Sequence, residues 1–211
     1  MDQNIAQSAR SLSRRKLFSM AGVAATGMVG AVALSACSSD DSLAQQARAG
    51  DNKNYIAGDG SVSEYNKNDR KAAVDFTGVL FDGTKVPSKD LLGKVVVMNF
   101  WYAACAPCRV EAPSLRTLHQ EFKPKGVEFY GVNLSDERAT AEAFEKTFKL
   151  DYPTFSVKMD SGMLLALAKE VPPKAVPTTL VFDKQGKVAA RILGRLEEGT
   201  LRSLISSAVA E

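Results

Sequence analysis

Hydrophobic positions change their spacing along the chain, and each change marks an element. Residues 95–101, Val-Val-Val-Met-Asn-Phe-Trp, form a short β-branched and aromatic run behind Gly93, which predicts a buried strand. Just beyond it Leu115, Leu118 and Phe122 recur at i, i+3 and i+7. That is the spacing of one helix face, so a helix is expected from about Cys105 to Lys123, with Pro113 removing a backbone donor and kinking it. Residues 127–133 read as a strand. Ser135 is placed to cap the next helix, with Asp136 and Glu137 in its first turn, running to about Lys149. A further helix is expected over 161–170. Residues 178–182 and 187–193 read as paired strands across Asp183-Lys-Gln-Gly186, and 197–209 as a last helix. Upstream, 74–81 and 85–86 suggest a hairpin about Asp82-Gly83. Strands alternating with helices imply an α/β protein, and the hairpins make its sheet mixed.

The first third of the chain follows different rules. Arg14-Arg15-Lys16 precede an apolar, Ala/Gly-rich run of 17 uncharged residues from Met20 to Ala36, the pattern of an export leader. An uncleaved anchor helix is the alternative, since the run is close to spanning length. From Ser38 to about Arg70 the chain is rich in Ser, Asp, Asn, Gly, Gln and Lys with few large apolar residues. Such a segment cannot bury enough surface to offset its ordering entropy, so it reads as a flexible tether. These patterns divide the chain into an export signal over 1–36, a tether over 37–71 and a folded domain over 72–211.

Charge changes meaning once the leader is set apart. The whole chain carries a formal charge of +3, but beyond residue 36 it holds 23 basic and 23 acidic side chains. Nothing in this balance points to nucleic acid or to a strongly charged partner.

The chemistry concentrates at the junction of the first long strand and helix. Cys105 and Cys108 stand three apart where the helix begins. A thiol there faces unpaired backbone N–H groups and the positive end of the helix dipole, which stabilises the thiolate and lowers the thiol pKa. Cys105 is therefore the expected nucleophile. Cys108, about one helical turn further in, is near enough to close a disulfide on the mixed intermediate and is the expected resolving thiol. Zinc also uses paired cysteines, but a four-ligand site would need two more ligands, and Cys37 and His119 are the remaining Cys and His. No metal and no cofactor other than a redox-active disulfide is expected. The glycines form no phosphate-binding pattern.

Trp101-Tyr-Ala-Ala-Cys105-Ala-Pro-Cys108 resembles the active site of the thioredoxin superfamily, where a tryptophan four residues before the first cysteine and a proline between the cysteines recur. The added Arg109-x-Glu111-x-Pro113 resembles the membrane-anchored TlpA/ResA type, over roughly Ala72 to the C-terminus. The resemblance implies a thioredoxin fold: a central mixed sheet flanked by helices, with an N-terminal β-hairpin and an inserted helix and strand within 134–176. It implies that Val176-Pro177 matches the cis-proline motif beside the cysteines, presenting Val176 backbone groups to substrate by strand addition. Trp101 would wall the same site. Glu111 would exchange protons with the cysteines; the bland alternative is an acid favoured by the helix dipole. Simple thioredoxins place a buried aspartate where Asn99 stands, and many carry a second tryptophan where Ala104 stands, which would leave the sulfur more open. Arg109 is either a thiolate-steadying charge or a solvated one. His119 is expected on the solvent side of the helix.

Leu34-Ser-Ala-Cys37 resembles a bacterial lipobox, which implies lipidation of Cys37, and Ser13-Arg-Arg-Lys-Leu-Phe18 resembles a twin-arginine signal. Together the resemblances imply a lipid-anchored, extracytoplasmic thiol-disulfide oxidoreductase. It would reduce disulfides of exported proteins, apocytochrome c among them, and draw electrons from a membrane thiol donor. Three alternatives stand beside this: an oxidase that forms disulfides in exported proteins, a thiol peroxidase (its usual Thr replaced by Tyr102), and a tethered, non-catalytic binding module.

Overall fold

A computed structural model describes residues 60–172 and 175–211. The export signal, Cys37 and most of the tether lie outside the described residues, as does Pro173. Eight strands are present among the described residues: β1 (Val62–Glu64), β2 (Thr77–Val79), β3 (Lys85–Pro87), β4 (Val96–Trp101), β5 (Glu128–Asn133), β6 (Thr154–Ser156), β7 (Thr178–Phe182) and β8 (Val188–Leu193). The helices are α1 (Ala106–Phe122), α2 (Arg138–Phe148), the short α3 (Gly162–Ala166) and α4 (Glu198–Ala210). Six strands form one sheet in the order β1-β8-β7-β4-β5-β6, and β2 and β3 make the expected hairpin, which stands as a two-stranded sheet of its own. β5 runs parallel to β4 and β6 parallel to β5, whereas β7 is antiparallel to both β4 and β8. The sheet is mixed, as expected, and it is β7, antiparallel to both neighbours, that makes it so.

β4 is buried at every position because it is central and covered on both faces. Its period-2 alternation assigns the two cores. Val97 packs with Leu115, Leu118 and Phe122 of α1 and Leu201 and Ile205 of α4. Met98 and Phe100 pack instead with Phe144 of α2 and Met163 of α3. Each fully buried Leu or Phe of this kind stabilises the fold by roughly 1.5–3 kcal/mol. Asn99 falls on the Val97 face, toward α1, and this places its amide for the site described below. Gly131 of β5 is glycine for lack of room: a Cβ there would lie 2.4 Å from Thr154 Oγ1 and 2.8 Å from Trp101 Nε1. The segment expected as an insertion supplies α2, β6 and α3, which extend the sheet beyond β5 and cover the face of Met98 and Phe100.

Two expectations are corrected here. The tether is expected to reach residue 71, but β1 pairs with β8 as an edge strand, Val62 opposite Ile192. Arg70 is buried, its guanidinium 2.8 Å from Asp183 and 2.5 Å from Glu211, with Nε donating to the Tyr65 carbonyl. Its pKa is raised further above the arginine range, first by the hydrogen bond to Glu211. Ordering at 60–71 therefore comes from an edge ladder and a buried ion pair, neither of which requires apolar residues. The second correction concerns α2, which begins at Arg138 with Glu137 as its N-cap. The Asn133 side chain accepts from Ser135 N and Asp136 N instead, so the turn preceding the helix is closed by an asparagine and Ser135 is not the cap.

Removing one partner from a buried pair leaves an uncompensated charge, so Arg70→Met is expected to lower unfolding free energy by about 3 kcal/mol. Urea denaturation of the variant measures this. A loss under about 1 kcal/mol would show that the ordered unit begins after residue 71.

Candidate functional site

β4 ends at Trp101, and after three intervening residues the chain enters α1 with Cys105 as its N-cap in extended conformation (φ −70°, ψ 109°). Pro107 lies in the first turn, where a missing N–H costs nothing. Cys105 and Cys108 are joined in a disulfide with Cα atoms 5.3 Å apart. Cys105 Sγ accepts a hydrogen bond from Cys108 N at 3.3 Å, the contact of a sulfur at a helix N-terminus. Ala104 is exposed, but the more open sulfur expected from it is not found: Cys105 is 0% and Cys108 2% accessible, so the sulfur pair is covered.

The antiparallel register of β7 places Thr178 opposite Phe100, which brings Val176 and Pro177 to the end of β4 where the chain turns toward Cys105. The Val176–Pro177 peptide is cis, and the Pro177 carbonyl accepts from Gly194 N at 2.8 Å. Both residues are buried, and Val176 shares one apolar cluster with Cys105, Cys108 and Trp101. Trp101, expected to wall the substrate site, lies in the same cluster. The residue is 2% accessible and its ring stacks on Phe144 with centroids 4.3 Å apart, so it is a wall of the core.

Glu111 lies one turn into α1 beyond Cys108 and is 2% accessible. Its Oε1 accepts from Asn99 Nδ2 at 2.7 Å, and its Oε2 from Leu196 N at 3.0 Å. Asn99 also donates to Thr179 Oγ1 at 3.1 Å, which fixes the amide between two strands and the helix. Burial raises the Glu111 pKa from an ordinary 4.5 to about 8, against the opposing pull of those two donors and of the Arg195 charge. The carboxyl is thus largely protonated at neutral pH and close to titrating. Tyr152, fully buried, is pushed above the usual phenol range by burial first and by the charge of Glu111 next. In the sequence Asn99 stands out only as a departure from an aspartate; the structure makes it the donor that orients Glu111.

Two further expectations change. His119 is expected to face solvent but is 5% accessible, its Nδ1 2.7 Å from Asp151 Oδ1 and its ring against Phe129 and Tyr152. It lies four residues after Leu115 and three before Phe122, so the helix period already puts it on the buried face. The carboxylate that satisfies its ring comes from a distant loop. It sits about three turns beyond the cysteines and takes no part at the disulfide. Arg109 is neither a lone solvated charge nor bonded to sulfur. Its guanidinium lies over Phe144 and Phe148, 5.9 and 5.3 Å from the centroids, and donates to the Ala103 carbonyl at 3.3 Å. Sequence reasoning missed Asp136, whose Oδ2 accepts from Ala103 N at 2.6 Å and from Asn133 Nδ2 at 2.8 Å. Among the described residues no group of three or more His, Cys, Asp or Glu side chains could hold a metal, and no helix is long and apolar enough to cross a membrane.

A sheet with β4 at its centre, a disulfide at the N-terminus of the helix that follows, and a cis-proline at the head of the neighbouring strand define a thioredoxin-like thiol-disulfide oxidoreductase. The chain belongs to the AhpC/TSA family, whose model matches residues 70–191. It is 35% identical over 124 residues to the thiol-disulfide oxidoreductase ResA of a Bacillus cereus strain, covering 59% of this chain and 69% of that protein. Among solved structures it is similar to a secreted thiol-disulfide isomerase from Corynebacterium glutamicum (TM-score 0.63, 29% identity, 72% of this chain and 95% of that one). A DsbF homologue from Corynebacterium diphtheriae is comparably similar (TM-score 0.61, 29% identity, 71% of this chain and 94% of that one).

Proposed function

We propose that this protein is a lipid-anchored, extracytoplasmic reductase of disulfides in exported proteins, apocytochrome c among them. Cys105 thiolate attacks the substrate disulfide, whose S–S bond breaks as Cys105 forms a mixed disulfide and the first substrate thiolate leaves and takes up a proton. Glu111, protonated at neutral pH, supplies that proton, and the carboxylate it becomes then takes the proton of Cys108, which attacks Cys105 Sγ. The mixed disulfide breaks, the second substrate thiolate departs, and the protein is left with the Cys105–Cys108 disulfide. Two electrons have passed from protein to substrate, and a membrane thiol donor restores the dithiol. Val176 and Pro177 present backbone to the incoming chain. The protein needs no nucleic-acid partner and no cofactor beyond this disulfide.

The observation that carries the reading is the buried Glu111 carboxyl, held by Asn99 and Leu196 N with a pKa near 8. A proton-transfer group is most effective when its pKa lies near the working pH, and a carboxyl one turn beyond the resolving cysteine has little other reason to be buried. Ala106 and Pro107 do not fix the direction; reduction is supported by the likeness to the thiol-disulfide oxidoreductase ResA. Export is supported by the leader pattern over 1–36 and by the secreted C. glutamicum relative. Anchoring rests on Cys37 within its lipobox-like run.

The test uses a peptide containing Cys-x-x-Cys-His, the haem-attachment pattern. The dithiol protein is expected to reduce the peptide disulfide, while the oxidised protein leaves the peptide dithiol largely untouched. Rapid oxidation of the dithiol peptide would instead make the protein a disulfide-forming oxidase.

A further inference from the structure

We propose that Asp136 and Arg109 are positioning residues that clamp the backbone of Ala103 at its N–H and at its carbonyl and thereby fix the Cys105 sulfur at the mouth of α1. The inference rests on the reading of Cys105 as the nucleophile. Only Tyr102, Ala103 and Ala104 connect β4 to Cys105, so the orientation of this short loop decides where the sulfur sits relative to the Cys108 N–H. Within it, one residue is held at both ends of its backbone. Ala103 N donates to Asp136 Oδ2 at 2.6 Å, and the Ala103 carbonyl accepts from Arg109 Nη1 at 3.3 Å.

Each jaw is itself fixed to the inserted segment. Asp136 N and Ser135 N donate to Asn133 Oδ1 at 2.8 and 3.2 Å, and Asn133 Nδ2 returns a bond to Asp136 Oδ2. Asn133 ends β5 directly opposite Trp101, and Leu134 N donates to the Trp101 carbonyl at 3.1 Å. On the other side, the Arg109 guanidinium rests over Phe144 and Phe148 of α2, the same helix that stacks Phe144 on Trp101. Cys105 N donates back to the Tyr102 carbonyl at 3.1 Å, which passes any tilt of the Ala103 peptide to Cys105. A carboxylate placed simply as an Asx turn would bond its own loop. Asp136 reaches instead across 33 residues to a main-chain amide two positions before the nucleophile. Small displacements of a reacting group cost large factors in rate, so releasing the clamp should be visible in sulfur chemistry before it is visible in stability.

The experiment compares Asp136→Ala, Asp136→Asn and Arg109→Met in the full chain, reduced and alkylated with iodoacetamide at 25 °C, with labelling mapped by mass spectrometry and each thermal midpoint recorded. Asp136→Ala is expected to slow Cys105 alkylation about tenfold. Asp136→Asn, which loses charge but keeps an acceptor oxygen, restores most of that rate. Arg109→Met, which covers the two phenylalanines but cannot donate, slows the reaction independently, so the idea stays testable even where an Asp136 variant fails to fold. Equal effects of Ala and Asn would show that the charge acts and not the position, which overturns the inference. Cys105 labelling at the wild-type rate in Asp136→Ala and Arg109→Met would overturn it as well. Labelling of wild-type protein at Cys108 in place of Cys105 would overturn the nucleophile assignment and this inference with it, an outcome distinct from failure of the clamp alone.

Discussion

Replacing Cys105 by serine is expected to cut disulfide-exchange turnover by roughly 10³-fold or more, the largest effect of any single substitution. A serine hydroxyl stays protonated near neutral pH and cannot replace the thiolate at the α1 N-terminus. Cys108→Ser is expected to behave differently. It retains the attacking sulfur but cannot complete the second displacement, so a stable mixed disulfide to Cys105 should accumulate, visible as a mass shift that dithiothreitol removes. Turnover assays with a protein disulfide, read beside intact-mass spectra, separate the two. If the Cys105 and Cys108 variants trap substrate equally well, the assigned roles are wrong. If both retain partner binding and wild-type protein shows no turnover, the chain is the tethered binding module that the sequence left open.

Glu111→Gln carries the second large effect, and it acts on rate and stability together. Losing the proton acceptor for Cys108 should slow resolution about 10²-fold near neutral pH and remove the limb of the pH–rate profile centred near pH 8. The stability effect has a definite sign. The native Glu111 pKa of about 8 lies above the ordinary 4.5, so the fold favours the protonated form. Its contribution is fully present below about pH 4.5 and is lost as pH rises through about 8, amounting to at most about 5 kcal/mol. Glutamine cannot ionise, so the variant should lose stability less steeply between pH 5 and pH 9, overtaking the wild type at the alkaline end. Asn99 can turn its amide to accept from the new Gln Nε2, because the Thr179 hydroxyl both donates and accepts. Urea midpoints of the oxidised proteins at pH 5, 7 and 9 test this. Parallel pH dependences would mean that Glu111 is ionised in the native protein and is not held as a proton reservoir.

Much of the fold was legible because its central elements are long and periodic. The apolar run ending at Trp101 and the Leu115–Leu118–Phe122 face located β4 and α1 to within a residue or two, and with them the disulfide. Pro177 was placed through resemblance, and its antiparallel register against β4 explains its position. What the sequence hid depends on partners far away in the chain. β1 has three residues and no apolar run, so only its pairing with β8 orders it. Arg70 is buried because Asp183 and Glu211 converge on it from the other end of the chain. Asn99 and Glu111 each stand out in the sequence, but their hydrogen bond needs β4 and α1 packed together. Asp136 reads as a helix-start residue because its main-chain partner is 33 residues upstream. The burial of His119 was accessible from the helix period and was obscured by its polar side chain.

The central claim is that the Cys105–Cys108 pair is poised to give electrons to protein disulfides. Its reduction potential, measured by equilibration with glutathione or dithiothreitol buffers, is the most direct measurement. A value near that of thioredoxin, about −270 mV, is the predicted result and fits a reductant resupplied by a membrane thiol donor. A value above about −180 mV would contradict it and make the protein an oxidant of exported thiols.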